Sequence, residues 1–412
     1  TMRGKKVLRR WGWDCHGLPI ENLIEKELGL SSKKDIEALG VEKFNLAARN
    51  AVFRYADEWK KIIPRSGRWV DMDSDYRTMD SSYTESVWWS FKTLYDKGLV
   101  YQDFKSMLLC PHCETTLSNF EVNQGYKDIT DISVYVKFEL INEPNTFMIA
   151  WTTTPWTLPG NVALAVGNDL EYLIIDSTAE GKETLNSESI ILKPGKYIVS
   201  KEALSHHLMK SGQSEKFIAL LSSDDHQLLA SGEIEKSPTV KVIKGSELVG
   251  KSYKPVFDYY NNDKLEKREN GWKVYAGDFV TTDAGTGIVH IAPAFGEDDM
   301  NLGKANNLPF IQHVNRDGTF KAEVTDFAGQ KVKPIDGHQK ADVEVIKYLA
   351  KNGLLFAKEK IVHSYPHCWR CGTPLLNYAT TSWFVKVTAM KDRLVELNKG
   401  VSWTPTEIGE GR

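Results

Sequence analysis

Two Cys-x-x-Cys pairs are the residues of this sequence whose type and spacing most directly indicate chemistry. The first pair is Cys110 and Cys113, and the second, far downstream, is Cys368 and Cys371. Two thiolates from one tight turn can bind the same tetrahedral Zn²⁺, and four thiolates complete its ligand set. Because loop-closure entropy grows only logarithmically with loop length, the long gap is no obstacle. The pairs predict one structural zinc site that closes the segment between them, with four free thiols as the alternative.

The fifth cysteine, Cys15, makes the total odd. An odd count in two close pairs plus one is the wrong pattern for a secreted disulfide framework. Neither pair opens a helix in a βαβ unit, which argues against a thioredoxin-like redox pair. We therefore expect a reducing compartment and a cytoplasmic location.

Three consecutive threonines, Thr152, Thr153 and Thr154, precede Pro155. Their hydroxyls, ahead of a proline-stiffened turn, offer several donors and acceptors to a ribose, a carbonyl group or a water. Taken alone, a threonine run after an apolar segment is more typical of the end of a strand. The run is a candidate binding site that needs further support.

A second candidate site lies in the stretch at residues 285–299, which begins with glycines and contains His290 and Asp299. The Gly-x-Gly at its start is not a dinucleotide-binding fingerprint, because the third glycine position is occupied by His290. By themselves these two residues are typical of a buried histidine on a strand and of a carboxylate that starts a helix.

The elements that would position these residues belong to an ordinary globular chain of several domains. Its 412 residues are 41% hydrophobic and 26% charged, which argues against disorder and allows about two to four domains. The formal charge of −3 means that any nucleic acid must bind to local basic patches. The apolar stretches are far shorter than the roughly 20 residues of a membrane span, so we expect no membrane segment.

Residues 20–98 are predicted to be helical. Pro19 suits the first position of a helix over residues 20–28, and apolar residues recur at helical spacing over 44–62 before Pro64. The second pattern predicts one long amphipathic helix. A further helix at about 83–97 should end at Gly98 and pack its apolar face into a core; that face comprises Val87, Trp88, Phe91 and Leu94.

From about residue 131 the hydrophobic period changes to the alternation that is typical of strands. We predict a mixed α+β domain over residues 131–355, with helices near 298–305 and 342–351 and a surface loop and helix over 211–236. The predicted strands cover residues 146–151, 172–175, 189–192, 239–243 and 280–282.

The string GWDCHGLPIE at residues 12–21 resembles the signature of isoleucyl-tRNA synthetases, which are class I enzymes. His16, Ile20 and Glu21 resemble the isoleucine branch more than the leucine or valine branches. The resemblance implies that Asp14 binds the amino group of the amino acid in the synthetic site. Without the resemblance, Asp14 would be taken for a turn or capping carboxylate.

The string WTTTPWTLP at residues 151–159 resembles the threonine-rich motif of the editing domain inserted in this family. Leucine and valine relatives carry Arg where Thr154 stands. The resemblance implies that the three threonines, with Asn161, position the terminal adenosine and a water, and that Trp156 also contacts substrate.

Residues 285–299 resemble the second editing motif, GTGxVHxAPxxGxxD. By this resemblance Asp299 receives the α-ammonium group of the substrate, and His290 limits side-chain size or orients the ester. The implied catalytic set is therefore Asp299 and His290 with the threonine run.

The resemblance implies an α/β and α+β multidomain fold: a partial Rossmann-type catalytic segment, a zinc-bound connective region, and an inserted mixed α/β editing domain with a β-barrel-like core. The expected catalytic segment is residues 1–50, the helical region with the first cysteine pair 51–130, the editing domain 131–355, and the second pair with the return to the catalytic domain 356–412.

The function implied is hydrolysis of tRNA(Ile) mischarged with valine, by an internal piece of an isoleucine–tRNA ligase. No HIGH-like or KMSKS-like string occurs, so ATP, Mg²⁺ and isoleucine are expected to act only in the full-length parent. We expect a monomer. Two alternatives remain, a non-catalytic zinc-ribbon module that binds RNA and an editing domain of a leucine or valine relative; hydrolysis of mischarged tRNA would separate the first of these from the editing enzyme.

Overall fold

The computed structural model describes residues 3–31, 33–54, 56–177, 194–209 and 223–410. The chain divides into two compact units, one formed by Thr1–Phe104 with Thr381–Arg412 and the other by Lys105–Thr380. Within the described residues, no helix has both the length and the apolar composition needed to cross a bilayer.

The first unit contains a parallel pair of strands, β1 (Arg10–Trp13) and β2 (Asp71–Arg77). The connection between them is helical, as parallel pairing requires a crossover. It consists of α1 (Leu18–Leu28), α2 (Lys33–Leu39), α3 (Val41–Val52) and α4 (Ala56–Arg65). Later helices of this unit are α5 (Ser81–Asp96), α11 (Lys391–Lys399) and α12 (Glu407–Glu410).

Two predictions of secondary structure for the first unit are wrong. The single long helix over residues 44–62 is two helices, since α3 ends at Val52 and α4 begins at Ala56; each short helix keeps its own apolar face, so the spacing alone hides the break. Pro64 lies inside α4 near its end. Residues 71–77 lie in the stretch that was predicted to be helical, but they form strand β2; the sequence DMDSDYR has no apolar alternation that would indicate a strand.

The apolar face of α5 is also not packed as predicted. Trp88 is 69% exposed and Phe91 is 44% exposed, and no residue of this helix is buried. The helix itself is confirmed, with Gly98 in the left-handed region just beyond its end. Amphipathic spacing identified the helix, but nothing among the described residues buries its apolar side.

The second unit is built on a six-stranded sheet in which one pair, β6 with β9, is parallel and the other neighbours are antiparallel. Its strands, in spatial order, are β10 (Val240–Lys244), β8 (Glu171–Asp176), β9 (Lys196–Ser200), β6 (Thr146–Thr152), β5 (Tyr126–Glu139) and β13 (Leu355–Pro366).

Two smaller sheets complete the strands. In one, β7 (Ala163–Val166) lies between β11 (Lys273–Ala276) and β12 (Ile288–Ile291). The other has the order β14 (Leu376–Val385), β3 (Val100–Cys110), β4 (Thr115–Thr116). Helices of the second unit are α6 (Asn119–Val122), α7 (Lys201–Met209), α8 (Ser223–Ser231), α9 (Glu297–Ala305) and α10 (Lys340–Lys351).

The core of this unit lies on both faces of strand β5, the neighbour of the edge strand β13. Val134 and Val136 belong to one buried cluster, and Tyr135 between them belongs to another. A strand that is covered on both faces reads as a continuous apolar run instead of an alternation. This is why the period-2 pattern is only partly visible here.

The mixed α/β architecture is confirmed, as are the predicted strands at 146–151, 172–175 and 239–243 and the helices at 298–305 and 342–351. The strand at 189–192 and part of the segment 211–236 lie outside the described residues. The strand at 280–282 is wrong: Val280 is buried, but it lies in a turn region after Gly277 and finds no ladder partner. The barrel-like core is not confirmed, because the described strands form separate sheets and no closed barrel.

Candidate functional site

The three threonines form a hydroxyl cluster where β6 ends. The Thr154 N–H donates to Thr152 Oγ1 at 3.1 Å, and the two hydroxyl oxygens are 3.3 Å apart. Thr153 and Thr154 are partly exposed, whereas Thr152 is buried. A 3-10 helix, Pro155–Gly160, follows at once, so the proline fixes the direction in which the chain leaves the strand.

His290, on β12, is connected to this cluster through Thr157. Its Nε2 lies 2.8 Å from Thr157 Oγ1, and Thr157 Oγ1 donates to the Thr154 carbonyl at 2.8 Å. Its Nδ1 lies 3.3 Å from Asn161 Nδ2. Burial lowers the pKa of His290 to about 4, so the ring is neutral at pH 7.

Asp299 lies in the first turn of α9 and reaches back to the end of β12. Its Oδ1 accepts a hydrogen bond from the Ala292 N–H at 2.7 Å, and burial raises the pKa of its carboxyl to about 6. A Cβ on Gly296 would lie 2.2 Å from Asp299 Oδ2, so the glycine leaves space for the carboxylate. The N-cap residue of this helix is Gly296, and no side-chain hydrogen bond caps the helix.

Trp156 lies in the core and is held at both of its backbone polar groups. Its side chain is 2% exposed and packs edge-on against Phe295, with ring centroids 5.3 Å apart. Its N–H donates to Asp342 Oδ1 at 3.1 Å, and its carbonyl accepts from His313 Nε2 at 2.9 Å. Hydrogen bonds to Asp342 and His313 thus hold the 3-10 helix after the threonines in place.

A buried charge network supports that position. Lys333 Nζ lies 2.9 Å from Asp342 Oδ2 and 2.8 Å from Asp131 Oδ1, and all three side chains are fully buried. His363 Nε2 is 3.1 Å from Asp131 Oδ2. Burial raises the pKa of Asp342 to about 6. Because Asp342 also accepts a hydrogen bond from the backbone N–H of Trp156, this network supports the turn that follows the threonines.

Sequence reasoning missed Thr157, Lys333, Asp342 and also Tyr253, whose hydroxyl donates to Asn161 Oδ1 at 2.7 Å, as parts of the site. Thr157 lies inside the string WTTTPWTLP and could have been found there. The other three are single polar residues far from the motifs, and their contacts join positions that no local spacing relates.

The four paired cysteines come together in the second unit, as predicted. Their sulfur atoms all lie within 4.8 Å of one another, with Cys371 Sγ 3.5 Å from Cys110 Sγ and 3.8 Å from Cys113 Sγ. A tetrahedron with metal–sulfur bonds of about 2.3 Å has sulfur–sulfur edges of about 3.8 Å. Hydrogen bonds from Cys110 and Cys113 lower the pKa of the Cys368 thiol, whereas hydrogen bonds with the other three thiols raise the pKa of Cys113. The donor set could hold one metal ion with no open position.

Asp14 lies in the other unit, just after β1. It is exposed, and its Oδ1 accepts a hydrogen bond from the His16 N–H at 3.4 Å. The next residue, Cys15, is buried, and its N–H donates to Thr78 Oγ1 at 2.8 Å. The turn that carries Asp14 is therefore held by backbone contacts while the carboxylate faces solvent.

Comparison with known proteins gives a consistent family. The model of the tRNA synthetases class I (I, L, M and V) matches residues 1–412. The isoleucine–tRNA ligase of Treponema denticola is 42% identical over the whole chain, which covers 36% of that protein. The isoleucine–tRNA ligase of Clostridium acetobutylicum is 43% identical over the whole chain, which covers 35% of it. The chain thus spans about a third of the length of these curated relatives.

Among solved structures, the chain is similar to the editing domain of the cytosolic leucyl-tRNA synthetase of P. knowlesi, with a TM-score of 0.35 and 15% identity. The match covers 57% of this chain and 99% of that one.

Proposed function

This chain belongs to the class I tRNA synthetases of the isoleucine, leucine, methionine and valine group, and on that premise we propose that its second unit, Lys105–Thr380, hydrolyses valyl-tRNA(Ile). The parent protein would be an isoleucine–tRNA ligase, in keeping with the names of the relatives at 42–43% identity. The substrate of this unit would be tRNA(Ile) that carries valine in place of isoleucine.

The need for such a site follows from the small difference between the two amino acids. A pocket that discriminates one methylene gains about 1–3 kcal/mol, a magnitude already known for isoleucine against valine in this very family. A second site that admits the smaller side chain and hydrolyses its ester supplies the remaining accuracy.

The single observation that carries the proposal is the junction of the two motifs. The threonine turn and His290 are linked through the Thr157 hydroxyl, 2.8 Å from the ring, and Asp299 lies on the helix that follows the same strand as His290. Thr157 and His290, 133 positions apart in the sequence, are therefore in direct contact, which supports a single polar site that would also include Asp299.

Within that site the carboxylate of Asp299 would bind the α-ammonium of the aminoacyl group. Oδ1 accepts from the Ala292 N–H, and the carboxylate would make a charge-assisted contact with the ammonium group. Above a pH of about 6 the group is ionised. The side chain of Asp299 would thus fix the amino acid by the one charge that valine and isoleucine share.

The hydroxyls of Thr152, Thr153 and Thr154 would position the terminal adenosine and the attacking water. The water oxygen bonds to the ester carbonyl carbon, the bond to the ribose oxygen breaks, and the proton of the water passes to that oxygen. Free valine and tRNA with an intact terminal ribose result. His290 would limit the side chain that enters, with Asn161 and Trp156 shaping the wall.

The four cysteines would hold one Zn²⁺ with a structural role, since their sulfur positions suit a closed tetrahedral site. In the parent, Asp14 would bind the amino group of isoleucine, while ATP and Mg²⁺ would act in parts of the protein beyond this chain. We propose that the chain acts as a cytoplasmic monomer with tRNA(Ile) as its partner.

The experiment is deacylation by this chain of valyl-tRNA(Ile) beside isoleucyl-tRNA(Ile). Faster loss of valine supports the proposal. Loss of the charge-assisted contact in Asp299→Ala should slow the reaction at least about tenfold, and Thr153→Ala should slow it by up to about tenfold.

A further inference from the structure

A buried chain of hydrogen bonds approaches His290 from the side opposite Thr157, and it begins at Tyr253. Tyr253 is fully buried and packs edge-on against Phe138, with ring centroids 5.3 Å apart. Its hydroxyl lies 2.7 Å from Asn161 Oδ1. Burial raises the pKa of Tyr253 well above its ordinary value. The phenol therefore keeps its proton and can donate it.

The orientation of the Asn161 amide follows from its two other neighbours. The Ala163 carbonyl, 2.9 Å from Nδ2, can only accept a hydrogen bond. Tyr253 donates to the oxygen on the other side of the amide. A flipped amide would place its oxygen against the Ala163 carbonyl oxygen and its NH₂ group against the Tyr253 hydroxyl, so both of these hydrogen bonds would be lost. Asn161 is thus held with its NH₂ group towards His290.

This orientation decides which nitrogen of His290 carries the proton. Asn161 Nδ2 donates to Nδ1 at 3.3 Å, so Nδ1 must be the unprotonated acceptor of the neutral ring. The proton is then on Nε2, and this N–H donates a hydrogen bond to Thr157 Oγ1. The Thr157 hydroxyl in turn donates a hydrogen bond to the Thr154 carbonyl. Both ring nitrogens are engaged by the protein, so the ring orients the threonine turn and is not poised to take a proton.

We infer that Tyr253 is a positioning residue that acts through Asn161 to hold His290 as its Nε2–H tautomer and thereby to orient the hydroxyl of Thr157. The effect on hydrolysis rests on the proposed function. The tautomer itself is a property of the folded chain and can be measured without any substrate.

The test is ¹⁵N NMR of the chain labelled at its histidines, with the His290 signals assigned by comparison with His290→Gln. We expect the wild-type ring to be a single tautomer protonated at Nε2 from pH 6 to pH 8. In Tyr253→Phe, which removes only the phenol oxygen, we expect a mixture with the Nδ1–H form. The rate constant kcat for valyl-tRNA(Ile) should fall about three- to tenfold, the range for one lost hydrogen bond, with KM little changed.

Tyr378→Phe is the matched control, because Tyr378 is also buried and its hydroxyl donates to a carbonyl, that of Val314, at 2.9 Å. It should leave both the tautomer and kcat unchanged. An Nδ1–H tautomer in the wild-type chain would overturn the inference outright, and so would an unchanged tautomer in Tyr253→Phe. If Tyr253→Phe does not fold, Asn161→Ala replaces it in the NMR measurement, with the same mixture of tautomers expected.

The two proposals fail separately. A shifted tautomer in a chain whose wild type does not hydrolyse valyl-tRNA(Ile) supports the hydrogen-bond relay and contradicts the proposed function. A shifted tautomer with unchanged kcat contradicts the positioning role in the reaction.

Discussion

At the scale of single residues, the pH at which Asp299 ionises is the most direct consequence of its surroundings. Burial raises the pKa of Asp299 to about 6, so the carboxylate that would bind the α-ammonium is lost as pH falls through about 6. We expect kcat/KM for valyl-tRNA(Ile) to decline on the acid side with that apparent pKa, because this ratio reports groups of the free enzyme. Deacylation rates from pH 5 to pH 7.5 give the profile.

Asp298 provides the matched control for this profile, since it is the neighbouring carboxylate and is exposed. Asp298→Asn should keep the acid limb, whereas Asp299→Asn should lower the rate throughout and abolish that limb. An unchanged acid limb in Asp299→Asn would show that another group titrates. His290 cannot supply it, because its pKa of about 4 leaves it neutral over this range.

At the scale of elements, the buried network behind the threonine turn joins β5, α10 and the segment that carries Lys333. Replacing Lys333 with Met leaves Asp131 and Asp342 buried without their shared cation. Breaking a buried ion pair on one side costs about 3–5 kcal/mol. We expect Lys333→Met to lower the free energy of unfolding in urea at pH 7.5 by about that amount.

The pH dependence of this loss has a definite sign. The pKa of Asp342 is raised to about 6 in the folded state. Between the ordinary pKa of a carboxyl group and a pH of about 6, the folded state therefore binds more protons than the unfolded state. Without Lys333 the pKa of Asp342 should rise further. The loss in the free energy of unfolding caused by Lys333→Met should therefore be smaller at pH 5 than at pH 7.5. Lys347→Met, which removes an exposed partner of Glu344, should cost no more than about 1 kcal/mol. Equal losses in the two variants would mean that the network contributes nothing.

At the scale of the whole molecule, the cysteine site should tie the two ends of the second unit together. We expect one Zn²⁺ per chain on purification without chelator, and a lower melting temperature once a strong chelator removes it, because binding to folded ligands is linked to folding. Cys368→Ser should lose the metal, while Cys15→Ser, a buried cysteine outside the cluster, should keep it. Metal-free protein in which all five thiols titrate freely would contradict the site.

How much could be predicted from the sequence depended on whether the physical cause was local. The spacing of each cysteine pair and the alternation that begins near residue 131, in β5, are local, and these features were predicted. The break between α3 and α4 was not, because both helices keep apolar spacing across it. Lys333 and Tyr253 left no signal, since a buried polar residue is defined by partners distant in the sequence.

Trp88 was predicted to be buried but is exposed, which is a second case in which local spacing does not determine tertiary packing. Amphipathic spacing identifies which face of a helix is apolar, but what covers that face is decided by tertiary packing. The strand expected at residues 280–282 failed for a related reason, because β-rich composition does not supply a neighbouring strand.

Editing by this chain can be measured as the single-turnover rates at which it releases valine from valyl-tRNA(Ile) and isoleucine from isoleucyl-tRNA(Ile), at equal concentrations and pH 7.5. We expect faster release of valine, and a loss of that release in Asp299→Ala while the melting temperature stays near that of the wild type. Equal rates for the two esters would contradict it, and so would an Asp299→Ala chain with a lowered melting temperature but near-normal release of valine.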